Sequence, residues 1–310
     1  PVLRSGDRVA LVAPAGPVNE TMIRAAVARC RHLGFEPVPG AAIRERHGYL
    51  AGSDARRAAD LRAAIDDDTT AIWALRGGYG TLRTLARVDL SPLVARPKAF
   101  LGFSDNTAVH LALRKLGLVS FHAPHAGYEH FPPVTERAFR GVVMARRAPF
   151  LLPWPEDHPE PTPLCPGSAE GPLVGGNLAM LAAACGTPYQ PGLRGAILFL
   201  EDVGEPLYRL DRMLTQLRLA GVLAGVAGIA LGAFTPPAEP DPSERVEDPP
   251  TLRQVLRELL APLGVPVLMG LPFGHERENW TLPVGTRARL DADAGSLEIM
   301  EPATAERGTR

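Results

Sequence analysis

KAFLGFSDNTAVHLALRKLG, residues 98–117, is the stretch whose reading decides the fold class. A short apolar run stops at Ser104 and an amphipathic pattern starts at once. Val109, Leu113 and Leu116 recur at three- and four-residue spacing, with Ala108, Leu111 and Ala112 beside them. Asn106 to Leu116 is therefore predicted to be helical, with Ser104 at a strand-to-helix turn. A hydroxyl in that place has two readings. It caps the helix, or it is a nucleophile exposed at the carboxyl edge of a sheet, where the first helical amides stabilise negative charge. Local pattern alone favours the cap.

Working outward, RVALVAPAG (8–16) is a continuous apolar run, and ETMIRAAVARCRHLG (20–34) is a helix pattern stopped by Gly34. SDARRAADLRAAIDD (53–67) is a second helix, capped by Ser53 or Asp54. AIWALRGGYG (71–80) and LVSFHAP (118–124) add strands. This alternation predicts the α/β class: a parallel sheet covered on both faces, with ligands at the carboxyl ends of its strands. Near residue 148 the composition changes. PFLLPWPEDHPEPTPLCPG carries a proline every few residues and no periodicity. It reads as a linker, residues 148–170, between an N-terminal domain of residues 1–147 and a C-terminal domain of residues 171–310. The second half continues with GPLVGGNLAMLAAACGTP, the apolar run GAILFLEDV (195–203), a helix over 205–221 and the apolar run GVAGIALGAF (225–234). TPPAEPDPSERVEDPP (235–250) reads as a solvated, mobile loop, TLRQVLRELLAPLG as a helix, and the remainder as short strands and turns.

Composition narrows the partners. A net charge of −1 over 310 residues gives no electrostatic footprint for nucleic acid or an anionic membrane, so the expected partner is a small molecule or peptide. Cys30, Cys165 and Cys185 are odd in number, far apart and form no CxxC pair, which fits a reducing compartment. VALVAPAG (9–16) is too short to span a bilayer and lacks the build of a secretory signal. The resulting expectation is a cytoplasmic protein.

Four polar residues stand at the ends of apolar runs: Arg76, Ser104, Glu201 and His275. A serine, a carboxylate and a histidine are what covalent acyl transfer needs. Imidazole takes the hydroxyl proton, and the carboxylate fixes its tautomer and offsets the imidazolium charge. The order Ser, Glu, His is that of α/β-hydrolases, although GFSDN is not their GxSxG elbow. Taken separately, each residue also has a structural use: Ser104 as a cap, Glu201 in an ion pair with an arginine, His275 in a turn. RGGYG (76–80) lacks the third glycine of GxGxxG and the GKS or GKT of a P-loop. It serves either as a tight turn or as one side of an oxyanion hole, with Gly78 offering a backbone amide and Asp105, the residue after the serine, offering the other. SDN also matches one box of the penicillin-recognising serine enzymes, but their SxxK and KTG boxes are missing from the chain. His122, His125 and His130 with Glu129 have metal-like spacing without the HExxH pattern, so no metal site is expected.

Together these stretches resemble the LD-carboxypeptidase family of serine peptidases, which includes the microcin C immunity proteins. The matching pieces are VALVAPAGPV, AIWALRGGYG, GFSDNT, FHAP, EGPLVGGNLAMLAAACGTPY, ILFLEDVGEPLYRLDRMLTQL and GLPFGHERENWTLPVG, in this order over almost the whole chain. The resemblance implies Ser104 as nucleophile, Glu201 as carboxylate and His275 as base, with backbone amides at Gly78 and Asp105 as the oxyanion hole. It also implies an N-terminal parallel-sheet domain and a C-terminal mixed α/β domain with the active site in the cleft between them, a homodimer, and no cofactor or metal. The implied substrate is a muropeptide whose terminal D-alanine is released in cell-wall recycling. The alternative is an aminoacyl- or peptidyl-nucleotide, for which Trp154 and Trp280 are candidate stacking residues. A reading of another class is a non-catalytic ligand-binding protein using RGGYG as an anion turn. Arg76 and Asn177 are the substrate-binding candidates, Arg76 because a guanidinium beside a glycine turn can bind a carboxylate through two hydrogen bonds.

Overall fold

A computed structural model describes residues 1–238 and 249–306, so most of the loop predicted over 235–250 lies outside the described residues. The chain divides into two compact units. The first comprises Pro1–Ala148 with Arg277–Gly285 and the C-terminal stretch from Pro302; the second comprises Pro149–Glu276 and Thr286–Glu301.

The first unit is built on strands β1 (Arg8–Val12), β2 (Glu36–Pro39), β3 (Ala71–Ala74), β4 (Ala99–Gly102) and β5 (Ser120–His122). They pair in parallel in the order β5-β4-β3-β1-β2. The central strands read as continuous apolar runs because both faces are covered: every residue of β3 and β4 is buried. Helices α1 (Glu20–His32), α2 (Asp54–Asp66), α3 (Thr81–Leu85), α4 (Pro92–Ala95), α5 (Thr107–Lys115) and α6 (Pro133–Phe139) lie between or after these strands. Ser53 rather than Asp54 caps α2, its hydroxyl accepting from the Arg56 amide. From β1 the chain is laid down first towards β2 and then, through β3, the opposite way. The loops after β1 and β3 therefore diverge at a switch point, where ligand crevices form in open α/β sheets.

The second unit holds an eight-stranded mixed sheet. Its centre is parallel: β8 (Ser168–Asn177), β9 (Ile197–Val203), β10 (Gly228–Thr235) and β11 (Val267–Met269). β13 (Arg287–Asp291) pairs antiparallel with β8, and β14 (Ser296–Ile299) with β13. Helices α7 (Leu178–Ala184), α8 (Leu207–Leu219) and α9 (Leu252–Leu260) belong to this unit, the last opened by a capping box between Thr251 and Gln254.

The structure differs from the sequence reading at its edge strands. β2, half-exposed at one edge of the first sheet, is absent from the sequence reading. Within the stretch read as a linker, β6 (Phe150–Leu151) and β7 (Thr162–Cys165) are the two outermost strands of the second sheet. Proline removes a backbone donor and is tolerated at sheet edges, so proline density there marked edge strands and their approaches. Near the C-terminus the chain returns to the first unit, where β12 (Leu282–Val284) adds antiparallel to β5 as an edge strand with Pro283 within it. Among the described residues no helix is long and apolar enough to cross a membrane.

Candidate active site

The first unit holds the serine turn. After β4 the chain passes Phe103 in extended conformation and reverses at Ser104, whose φ is 58°. Ser104 is the one non-glycine residue with positive φ among the described residues. A left-handed conformation costs a non-glycine residue roughly 1–2 kcal/mol. Residues 104–106 form a single 3₁₀ turn before α5. The Ser104 side chain caps neither helix, and among the described residues its Oγ makes no hydrogen bond. The cap reading is thus replaced by a strained turn that holds the hydroxyl.

Two neighbours of Ser104 tie this turn to RGGYG. The Asp105 carboxylate accepts from the Thr81 amide at 2.8 Å, and Asn106 Nδ2 donates to the Arg76 carbonyl at 3.2 Å. The glycine turn is pinned at both ends by the residues that follow the serine. Gly77 then packs directly on the hydroxyl: a Cβ added there would lie 2.9 Å from Ser104 Cβ and 3.0 Å from Oγ. Gly78 follows at φ 103°. On the other side, the Gly16 amide donates to the Gly77 carbonyl at 3.0 Å, joining the β1 and β3 loops. Burial raises the Asp105 carboxyl above its usual range, and the hydrogen bond from Thr81 opposes the rise. His125, buried, sets Nε2 3.0 Å from Asn106 Nδ2 and from the Phe103 carbonyl, with its ring 4.3 Å from that of Phe103. Arg29 of α1 donates to the carbonyls of His125, Ala126 and Tyr128 and so fixes that segment.

The second unit holds a carboxylate paired with an imidazole. β9 runs ILFL, fully buried, into Glu201 and Asp202, which point to opposite faces because side chains alternate along a strand. Glu201 is 0% exposed, and His275 Nδ1–H donates to its Oε2 at 2.6 Å. The other oxygen, Oε1, has no donor among the described residues. A buried carboxylate with so few partners is costly unless an adjacent positive charge compensates it. That is what an imidazolium at His275 would do. With Nδ1 engaged, the basic lone pair of neutral His275 lies on Nε2. Gly274 makes the approach possible. Its φ is 108°, and a Cβ there would stand 2.7 Å from Glu201 Cβ.

The remaining sequence candidates divide. Arg76 lies beside the glycine turns, its Nη1 donating to the Pro17 carbonyl at 2.8 Å. Asn177, paired in register with Glu201 across β8 and β9, is occupied locally: Oδ1 accepts from the Met180 amide and Nδ2 donates to Asp202 Oδ1 at 2.9 Å. Asp202 also accepts from the Ala179 and Val203 amides. Burial above all, with the charge of Glu201 adding to it, pushes its carboxyl up to about 6. Trp280 is 2% exposed, a core residue. Trp154 is half-buried, with Nε1 donating to the His158 carbonyl. No group of three or more His, Cys, Asp or Glu among the described residues could hold a metal ion.

Sequence reasoning passed over Asn106, Asp202 and the packing role of Gly77. The signal available was the side-chain chemistry of SDN and the second acid in LFLED.

Comparison with known proteins places this geometry in context. Residues 9–123 match the model of the LD-carboxypeptidase N-terminal domain, and residues 170–290 that of the LD-carboxypeptidase C-terminal domain. A Bacillus subtilis protein named as a probable murein peptide carboxypeptidase is 36% identical over 310 residues, covering 98% of this chain and 94% of its own. Among solved structures, the muramoyltetrapeptide carboxypeptidase of Oxalobacter formigenes superposes with a TM-score of 0.81 at 34% identity, covering 96% of this chain and 100% of that one. MccF, solved in complex with glutamyl sulfamoyl guanosine, superposes with a TM-score of 0.86 at 25% identity, covering 98% of both chains. The chain belongs to the LD-carboxypeptidase family.

Proposed function

We propose that the chain is a serine carboxypeptidase that hydrolyses an amide between an L-configured centre and a terminal D-residue, releasing D-alanine from a muropeptide tetrapeptide. The observation that carries this reading is the serine turn: a hydroxyl held by strained backbone, without a hydrogen bond, against a glycine turn that leaves room beside it. The names of the Bacillus subtilis and Oxalobacter formigenes proteins support the substrate.

In this mechanism Ser104 Oγ attacks the carbonyl carbon as His275 Nε2 takes its proton, and Glu201 offsets the imidazolium charge. Backbone amides at Asp105 and Gly78 stabilise the oxyanion. His275 then protonates the departing amine of D-alanine, leaving an acyl-enzyme on Ser104. A water, deprotonated by His275, attacks the ester; the acid is released and the proton returns to Oγ. The scheme needs no metal or organic cofactor. With the family resemblance go a cytoplasmic location and a homodimer; light scattering on the purified protein checks the latter.

The test is to incubate wild type and Ser104→Ala with L-Ala-γ-D-Glu-meso-diaminopimelate-D-Ala and follow free D-alanine by mass spectrometry. Wild type releases it, and the variant loses at least about 10³-fold in rate. A second reading keeps the chemistry and exchanges the substrate for an aminoacyl- or peptidyl-nucleotide, favoured by the 0.86 TM-score to MccF. The burial of Trp280 removes one of the two aromatics that reading would use. Hydrolysis of an aminoacyl-adenylate analogue, with competition by AMP and no D-alanine release, would select it.

A further inference from the structure

The first unit contains a cleft of about 540 Å³ at the switch point of its sheet, lined by Gly16, Pro17, Arg46, Gly48, Tyr49, Arg76, Gly78 and Tyr79. One rim is a tight hairpin in which His47 and Leu50 exchange backbone hydrogen bonds at 2.9 and 3.0 Å, leaving Gly48 and Tyr49 at the tip. The Ala51 amide anchors it to the Ala15 carbonyl at 2.9 Å. The other rim is the glycine turn that packs on Ser104. Tyr49 and Tyr79 join the rims in an edge-to-face contact, centroids 5.7 Å apart, although their side chains are 68% and 53% exposed.

Charge decides what the cleft can take. No lining residue is acidic, and two are arginines. Their neighbours are neutralised: Arg44 pairs with Glu20, Arg56 with Glu45, and Arg57 and Arg83 with Asp54. Among the described residues Arg46 and Arg76 have no carboxylate within 4 Å, and Arg76 donates to the backbone carbonyl of Pro17. Two uncompensated guanidiniums in one concave site select an anion. Arg76 starts the turn that contacts the serine hydroxyl. Arg46 comes from a separate loop, so a single terminal carboxylate on Arg76 leaves it unsatisfied.

Resting on the carboxypeptidase reading above, we infer that this cleft is a substrate subsite in which Arg46 binds a second carboxylate of the peptide, one on the acyl side of the scissile bond, beyond that of the residue being released. Arg46 is then a specificity-determining residue, and the Tyr49–Tyr79 pair holds its loop against the glycine turn.

The experiment compares the free-acid tetrapeptide with the same peptide amidated at the D-glutamate α-carboxylate and the diaminopimelate side-chain carboxylate, its terminal carboxylate intact. Arg46→Gln raises KM for the free acid about tenfold, with kcat within about twofold, as expected for a charged hydrogen bond made equally in ground and transition states. Amidation costs wild type a similar factor and costs the variant nothing. Arg44→Gln, two residues away in an exposed ion pair, behaves as wild type. An unchanged KM in Arg46→Gln, or equal losses on both peptides, overturns the inference while leaving the reaction intact. AMP competition that Arg46→Gln relieves overturns the carboxylate assignment in favour of phosphate. If wild type releases no D-alanine, the carboxypeptidase reading fails, and calorimetric binding of the two peptides to Ser104→Ala reads the cleft separately. There, tenfold weaker binding of the free acid when Arg46→Gln is added supports the subsite, and equal binding removes it.

Discussion

The serine turn and the Glu201–His275 pair are built in opposite ways. Ser104 is placed by main chain: a φ of 58°, a glycine packed on its hydroxyl, and two following side chains that pin the neighbouring loop. His275 is placed by a side-chain bond of 2.6 Å to a carboxylate with 0% exposure. In the proposed mechanism Ser104 must present an Oγ with no competing partner, so hydrogen bonds cannot hold it and backbone strain does. As the proposed base, His275 must keep one tautomer and accept charge, a task for which a buried carboxylate partner suits it. Substitutions in the two regions should therefore fail differently, one in chemistry with little loss of fold, the other in both.

The sharpest contrast comes from Glu201→Gln, which preserves shape and removes the charge. It should lower kcat by roughly 10²–10⁴ with a smaller change in KM; steady-state kinetics with the tetrapeptide check this. A loss under tenfold would mean that His275 does not depend on the carboxylate.

Gly274→Ala tests the steric side of the same region. The added Cβ meets Glu201 at 2.7 Å in a conformation with φ 108°. Stability should fall by about 2–4 kcal/mol in urea, with activity falling alongside.

At the serine the balance runs the other way. Ser104→Gly relieves the left-handed strain, worth roughly 1–2 kcal/mol, at an unfolded-state cost of roughly 0.5–1 kcal/mol. It should leave stability unchanged or up to about 1.5 kcal/mol higher while abolishing turnover. Destabilisation instead would show the turn to be unstrained.

The smallest expected effect concerns Asp202. Its carboxyl stands at about 6 in the folded protein, against about 3.9 in an unfolded chain. Between these values the folded state holds more protons, so the stability this group contributes is full below about pH 4 and is lost as pH rises through about 6. Thermal melts of Asp202→Asn across that window should show a shallower fall with pH than wild type.

How far the sequence could be read differs between the same two regions. Four of the five parallel strands, β1, β3, β4 and β5, were legible because both faces are buried, giving continuous apolar runs bounded by glycine, proline or a cap. β2, a half-exposed edge strand reading EPVP, carries no such run and was not legible. Ser104 was legible as a position, since strand and helix patterns meet there, but its conformation was not. The clamps from Asp105 and Asn106 reach back 24 and 30 residues, a separation that no local pattern records. Glu201 and His275 are 74 residues apart. Each was ambiguous alone, and the resemblance of several boxes in order brought them together. The proline-rich 148–170 stretch misled because edge strands accept the residue that argues against central ones. Asn177 was legible as a polar residue at the end of an apolar run, but not the bonds by which its side chain caps α7 and holds Asp202, 25 residues away.

The central claim is that Ser104 Oγ is the nucleophile. Its most direct test is intact-mass analysis, with peptide mapping, of the protein treated with a fluorophosphonate. The account predicts a single adduct on Ser104, formed quickly by wild type, slowly by His275→Ala and not at all by Ser104→Ala. An adduct on another residue, or full D-alanine release by Ser104→Ala, would contradict it.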